Sequence, residues 1–347
     1  MGCRPSPDPN LVETFRLWRR SGGTSLQFAP FIFSARGYKI LTLTRISFDL
    51  KPISPFRLDL TVWTLRRRPS YIVDRWDGTT YNRVLVLHNR PVEIGVQQIG
   101  APERPRLRVE AAGPRLVPEA QAEITSVLER LLGIRIDLSP FYQFAAADAQ
   151  LGPLAARYRG MKPPRYTGVF EGLVNAIACQ QITLTQGLTL LSRLAEHYGV
   201  ATQQDGTHAF PRPEDLLAAQ PAALRRLGYS ENKTRALLEL ARAVVAGQVN
   251  FQILQRMDNA RAIAYLTQLR GVGRWTAEYV LLRGLGRLDV FPGDDVGGRN
   301  NLVRWLKRDE LRDYAGVRAA LAPWQPYAGL IYLHLLLDRL AAAGYVE

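Results

Sequence analysis

Two hydrophobic patterns divide the chain. Between Ile46 and Glu110, apolar and polar residues alternate in short runs with the two-residue period of strands that bury one face. Ile46-Ser-Phe-Asp-Leu50 opens the series, Tyr81 to His88 and Pro91 to Ile99 follow, and Arg106 to Glu110 alternates again. A short helix is expected near Phe56, carrying Trp63 and Leu65, with a basic cluster, Arg66-Arg-Arg68, ahead of Pro69. Together these runs predict a small antiparallel sheet. From about Glu119 the apolar spacing becomes helical and stays so almost to the end. Ser230 can cap a helix reaching Ala246, where Gly247 stops it. Pro213 can open another helix at its first position. Gly160-Met-Lys-Pro-Pro164 reads as a linker or a turn. Prolines 5, 7 and 9 with Gly22 and Gly23 break any early periodicity, so residues 1–45 are expected to be a poorly organised extension. The expected fold class is α+β: an N-terminal domain over residues 46–150 with a small antiparallel sheet and helices, then an all-helical domain over residues 151–347.

Composition adds little to this, and charge adds more. Hydrophobic residues make up 47% of the 347 and charged residues 22%, enough apolar material for a large core. Cys3 and Cys179 are the two cysteines; they cannot build a four-cysteine site, and they suit a reducing cytosol. No apolar run approaches the roughly 18 residues of a membrane span, and Phe28 to Phe33 is too short for a secretory core and broken by Pro30. The net charge of +14 favours a polyanionic partner, usually nucleic acid.

The chemistry concentrates in Leu269-Arg-Gly-Val-Gly-Arg-Trp-Thr-Ala-Glu-Tyr-Val280. A helix ends, Gly271-Val-Gly273 turns the chain, and a second helix starts with its first amides bare, a geometry that holds a phosphate oxygen. Such a hairpin grips a DNA backbone without reading sequence. Asp289-Val-Phe-Pro-Gly-Asp-Asp-Val296 follows, setting two adjacent carboxylates on a Pro-Gly turn before another helical run, Asn301 to Lys307. Alone, the hairpin reads as an ordinary helix connection and each Asp as an N-cap. A carboxylate facing the hairpin's groove could instead stabilise the positive charge that glycosidic cleavage builds on a sugar, or activate water against it.

In combination, these segments resemble the helix-hairpin-helix DNA glycosylase superfamily and, more narrowly, the DNA-3-methyladenine glycosylase II family, over about residues 46–340. The motifs carrying the resemblance are Phe170-Glu-Gly-Leu-Val-Asn-Ala-Ile-Ala-Cys-Gln-Gln-Ile182, Leu227-Gly-Tyr-Ser230 with Lys233, Gly271 to Tyr279, Asp289 to Asp295, and Pro323-Trp-Gln-Pro-Tyr327. The resemblance implies an enzyme that flips alkylated bases of the 3-methyladenine and 7-methylguanine type out of double-stranded DNA and hydrolyses the N-glycosidic bond, initiating base excision repair. The helical domain would then be a helix-hairpin-helix glycosylase domain. The catalytic role falls on Asp295, with Asp294 as its structural or capping partner. The base pocket falls on Trp275, Tyr279 and Trp324, whose electron-rich faces suit a flat cationic base. Gln181, beside Gln180, would fill the gap left by the flipped nucleotide. Gly271, Val272, Gly273, Arg274, Thr276 and Lys233 would meet DNA, with Arg66 to Arg68, Arg235 and Arg299 as further phosphate candidates.

Bifunctional relatives carry a lysine nucleophile where this chain has Trp275, which cannot form a Schiff base, so a monofunctional reaction is expected. No cysteine follows Cys179, which excludes an iron–sulfur cluster. No cofactor is expected, apart from a monovalent cation that the carbonyls of Thr267 and Leu269 could hold. Arg270 stands where relatives often have proline. The resemblance further implies a monomer in the cytoplasm, at the nucleoid, with no membrane contact. A glycosylase for deaminated or oxidised bases and a non-catalytic DNA-binding module remain the alternatives.

Overall fold

The computed structural model describes residues 43–202, 206–311 and 313–346. Most of the expected extension over residues 1–45 lies outside the described residues, and its last three residues belong to the first strand. The fold is α+β. Five strands, β1 (Leu43–Leu50), β2 (Arg75–Trp76), β3 (Thr80–Leu87), β4 (Arg90–Gln98) and β5 (Leu107–Pro114), form one antiparallel sheet of order β1-β5-β4-β3-β2. β5 shows why the alternation was legible: Leu107, Val109 and Ala111 point into the core and Arg108 and Glu110 point out. The β3–β4 hairpin turns at His88 and Asn89, both with positive φ, as the tightest hairpin turns require.

The helices are α1 (Leu58–Arg66), α2 (Ala120–Leu132), α3 (Ser139–Ala146), α4 (Leu151–Arg157), α5 (Val169–Cys179), α6 (Leu184–Tyr198), α7 (Pro221–Arg226), α8 (Glu231–Val245), α9 (Asn259–Leu266), α10 (Arg274–Val280), α11 (Val296–Leu306), α12 (Tyr314–Leu321) and α13 (Ala328–Ala341). Ser230 caps α8 by accepting the Lys233 amide, and Pro213 opens a short 3-10 turn instead of a full helix. A π-helical turn, Leu281–Leu285, continues α10.

The described residues pack as one compact unit. The sheet buries its apolar face against α1 and α2 through Val62, Leu65, Ile124 and Leu128, and the same cluster takes in Tyr166, Ala176 and Tyr279 from the helical half. Gly160 to Pro164, expected as a linker or a turn, is buried: the Gly160 carbonyl accepts the Arg57 amide at 2.7 Å, and the Lys162 amide donates to the Thr61 hydroxyl at 3.1 Å. No helix among the described residues is long and apolar enough to cross a membrane.

Candidate active site

The hairpin forms where α9 gives way to α10. Gly271 takes φ +75°, and a Cβ there would lie 2.9 Å from that of Ala236, so both conformation and space demand glycine. Val272 is buried and its amide donates to the Leu269 carbonyl at 3.1 Å; Gly273 caps α10 in an extended conformation. Gln180, at the end of α5, donates through Nε2 to the Gly271 carbonyl at 2.8 Å and to the buried Thr276 hydroxyl at 2.9 Å. Lys233 of α8 donates through Nζ to the carbonyls of Ala178 and Gln180, both at 2.8 Å, and burial lowers its pKa. It thus satisfies carbonyls that the end of α5 leaves open. Both side chains were expected to meet DNA, and the structure gives them internal partners instead. Their bonds hold the turn in which Gln181, exposed, stands at φ +54°. A non-glycine residue in that region is costly and is retained where the surroundings over-determine it.

The aspartate loop is tied to the hairpin twice. Arg274, stacked 3.9 Å above the Tyr314 ring, donates from Nε to Asp294 at 2.8 Å. Glu278, buried in α10 and with its pKa raised by that burial, accepts the Gly293 amide at 3.2 Å and the Tyr314 hydroxyl. The Tyr314 phenol is pushed up to about 12 by its own burial and by the Glu278 carboxylate. Arg274 thus joins the start of α10 to Asp294 in the aspartate loop. The cap belongs to Asp295: its Oδ1 accepts the Gly298 amide at 2.9 Å at the start of α11, and its Oδ2 accepts the Tyr332 hydroxyl at 2.7 Å. Burial, then the Asp295 charge, push the Tyr332 pKa well up, so this phenol keeps its proton and donates. Asp295 itself is half-buried. Sequence reasoning missed Tyr332 and Glu278; a glutamate between two aromatic positions of one helix was the available signal for the latter.

The rings of Trp275 and Tyr279 lie 5.7 Å apart at 30°, one turn apart on α10. The Tyr279 hydroxyl bonds that of Tyr166 at 2.7 Å and accepts from Arg67 at 2.9 Å. Trp324 makes no ring contact with either of them among the described residues. Among the described residues it packs on Trp305, centroids 5.0 Å apart, and its Nε1 donates to Asp148 at 2.9 Å, within the cluster formed by α3, α4 and α13. The Arg66-Arg-Arg68 cluster is likewise not a basic surface: Arg66 and Arg67 are buried, and Arg66 donates to the Trp76 carbonyl at 2.9 Å. Charge runs read as solvated unless a neighbouring element covers them, and here the sheet and α5 do so. Arg235 is exposed and pairs with Glu231, and Arg270 pairs with Glu239 at 2.7 Å.

A helical hairpin fastened to a capped aspartate beside an aromatic pair defines the helix-hairpin-helix class of base excision repair proteins. The model of the HhH-GPD superfamily base excision DNA repair protein matches residues 174–326. The chain is 29% identical over 211 residues to the DNA-3-methyladenine glycosylase of Bacillus subtilis, covering 59% of this chain and 70% of that one. With DNA-3-methyladenine glycosylase 1 of Schizosaccharomyces pombe it shares 31% over 160 residues, 46% of this chain and 67% of the relative. The solved structure of a 3-methyladenine DNA-glycosylase from Archaeoglobus fulgidus superposes with a TM-score of 0.73 at 26% identity, covering 84% of this chain and 98% of that one. The chain belongs to the HhH-GPD superfamily, among the DNA-3-methyladenine glycosylases. It spans 58% of the length of a putative DNA-3-methyladenine glycosylase of Bacillus subtilis and 64% of that of DNA-3-methyladenine glycosylase 2 of Escherichia coli.

Proposed function

We propose that this protein is a monofunctional glycosylase that flips alkylated bases of the 3-methyladenine and 7-methylguanine type from double-stranded DNA and hydrolyses their N-glycosidic bond. The observation that carries the reading is Asp295, a half-buried carboxylate fixed by two donors and tied through its neighbour to the hairpin. Each of its oxygens keeps a lone pair beyond the bond to Gly298 or Tyr332. As the base departs, the deoxyribose becomes oxocarbenium-like, and a preorganised carboxylate stabilises that charge without reorienting. Gln181, exposed and at φ +54°, would enter the vacated stack. Exposed Gly271 and Gly273 leave the hairpin backbone open to phosphate.

Trp275 in place of a lysine limits the reaction to base release, and the chemistry requires no cofactor. The Thr267 and Leu269 carbonyls are neutral oxygen donors of the kind a hard monovalent cation accepts, and such an ion would brace the hairpin. The protein would act as a monomer at the nucleoid, in the cytoplasm.

The test is base release from alkylated duplex DNA by the wild type, Asp295→Asn and Asp294→Asn. Free 3-methyladenine is expected from the wild type, with no nicking before heat or alkali. Asp295→Asn should lose at least about a thousandfold in rate while binding DNA, on the scale of removing a central electrostatic group. Asp294→Asn should stay within several-fold, since the Arg274 pair it breaks is half-exposed. Unchanged release by Asp295→Asn would refute the mechanism, and DNA binding without any release by the wild type would favour a binding module.

A further inference from the structure

The loop that carries Asp295 is a turn whose two central residues are both held from the hairpin's second helix. The Asp295 amide donates to the Pro292 carbonyl at 2.9 Å, which closes the turn over Gly293 and Asp294. Arg274 donates to Asp294, and Oε2 of Glu278 accepts the Gly293 amide at 3.2 Å. Arg274 and Glu278 stand four apart on α10 and so share a face. Tyr314, at the start of α12, completes the arrangement. Its hydroxyl donates to Oε1 of Glu278, and a Cβ on Gly293 would lie 2.6 Å from its ring, so the turn rests where a larger residue would collide. Glu278 is 2% exposed, forms no ion pair among the described residues, and has its pKa raised by burial. A carboxylate kept there is costly unless its oxygens are bonded. Each oxygen meets one donor, and a glutamine in the same space would offer one acceptor to the two.

We propose that Glu278 is a positioning residue: by holding the Gly293 amide and the Tyr314 hydroxyl, it fixes the turn from which the Asp295 carboxylate reaches the sugar of the flipped nucleotide. This deepens the reading of Asp295 given above and rests on it. The carboxylate has its own anchors, the Gly298 amide on α11 and the Tyr332 hydroxyl on α13, and these set its direction. Its place relative to DNA is a separate matter. The hairpin that grips the backbone leads straight into α10, and α10 holds both central residues of the turn. Grip and carboxylate are therefore joined through one short helix. Stabilising an oxocarbenium-like sugar requires the carboxylate to be in place before the bond breaks. A displacement of about 1 Å is enough to cost about a hundredfold in rate. Without the Glu278 acceptors, the Gly293 amide and the Tyr314 hydroxyl lose their partners, and Arg274 alone ties the turn to α10.

The experiment uses the full chain and a duplex carrying 7-methylguanine. It measures the single-turnover rate constant of base release at saturating enzyme and, separately, the affinity of the binding fraction for the same duplex. The variants are Glu278→Met, Glu278→Gln and Tyr314→Phe, with wild type and Asp295→Asn alongside. The saturated rate constant is a property of the molecules that bind, so partial misfolding leaves it unchanged. Glu278→Met, similar in size but without acceptors, should lower the rate constant about tenfold or more, with affinity kept within about threefold. Glu278→Gln, which keeps one acceptor, and Tyr314→Phe, which leaves the Gly293 bond, should each lose only about fivefold. A Glu278→Met rate constant within about twofold of wild type would overturn the proposal and leave Glu278 as a support of the fold, with Asp295-dependent release still standing. A loss confined to affinity would overturn it too, and place Glu278 behind the hairpin's grip. Should Glu278→Met not fold, wild-type rate constants in both Glu278→Gln and Tyr314→Phe would overturn it instead. A wild type that releases no base, or an Asp295→Asn variant as fast as wild type, would remove the reading of Asp295, and this proposal with it.

Discussion

Two guanidiniums are buried against one face of α5 and are treated differently. Arg83 reaches from β3 to Asp74 at 2.7 Å and to both oxygens of Glu171 at 2.8 Å, and Tyr81 adds a bond to Asp74. Arg67 reaches from α1 to Asn175, four residues beyond Glu171 and so on the same helix face, where it finds an amide and a phenol. The first charge is neutralised twice over and pins α5 to the sheet. The second has no carboxylate within ion-pair distance among the described residues and bonds Tyr279 of the aromatic pair. A third buried base shows what burial alone produces. His334, with its ring packed 5.2 Å from Phe141, is lowered by desolvation to about 4 and so is neutral at pH 7. A histidine can give up its charge and an arginine cannot. A lone buried arginine is therefore held by the rest of the fold, and such groups gather where function uses them.

The largest expected effect breaks the first half of this comparison. Arg83→Met leaves two carboxylates buried without their cation, and should cost about 3–5 kcal/mol of unfolding free energy. Urea denaturation measures it; a loss below about 1 kcal/mol would mean the cluster hydrates or protonates at little expense.

Next in size is the pH dependence carried by His334. Its pKa falls from 6.5 in the unfolded chain to about 4 when folded, so between these values the unfolded state binds more protons. Stability is then full above about pH 6.5 and declines as pH falls towards 4, by up to about 3 kcal/mol. Replacing His334 with leucine should flatten that part of the stability–pH curve. An unchanged slope would assign the acid loss to other groups.

A smaller effect concerns the catalytic candidate. Tyr332→Phe removes one of the two donors on Asp295, and keeps the ring that packs edge-on against Phe291 at 5.2 Å. Base release should slow about tenfold at saturation, the worth of a bond to a charged group, with little change in DNA affinity. A change in affinity without a change in rate would place Tyr332 in binding.

These residues also mark how far the sequence was legible. The alternation in β3, β4 and β5 and the Ser230 cap are local signals, and the Gly271-Val-Gly273 turn needs positive φ wherever it occurs, so each could be seen without a partner. The Asp294–Asp295 pair stood out through the family resemblance, since alone each aspartate before a helix reads as an N-cap. Gln180, Lys233, Arg66 and Arg67 could not be read from the chain alone. Each is polar, and three have their partners tens to hundreds of positions away, as Lys233 bonds Ala178 and Arg67 bonds Tyr279, while Arg66 bonds carbonyls of the irregular loop that follows its helix and of β2. The partners of Trp324, Asp148 and Trp305, likewise lie outside its motif. Periodicity reports which face is buried and says nothing about what meets it.

The smallest expected effect is the one that sharpens the comparison most. Arg67→Met should change unfolding free energy by no more than about 1 kcal/mol. Two contributions oppose each other there. Losing the guanidinium leaves the Asn175 carbonyl and the Tyr279 hydroxyl each short of a donor, at a cost of about 1–3 kcal/mol for the worse-placed group. Against this, the variant no longer buries an unpaired cation, a penalty of several kcal/mol before relaxation. The left-handed backbone at position 67 strains arginine and methionine alike and cancels from the difference. Denaturing Arg67→Met and Arg83→Met side by side in urea reads the contrast directly. Equal losses would show that both arginines serve the fold and that Arg67 has compensation elsewhere. A near-zero change at Arg67 beside a large one at Arg83 would show a charge kept in the core although stability does not require it, so that the reason to keep it has to lie with what the Tyr279 wall binds.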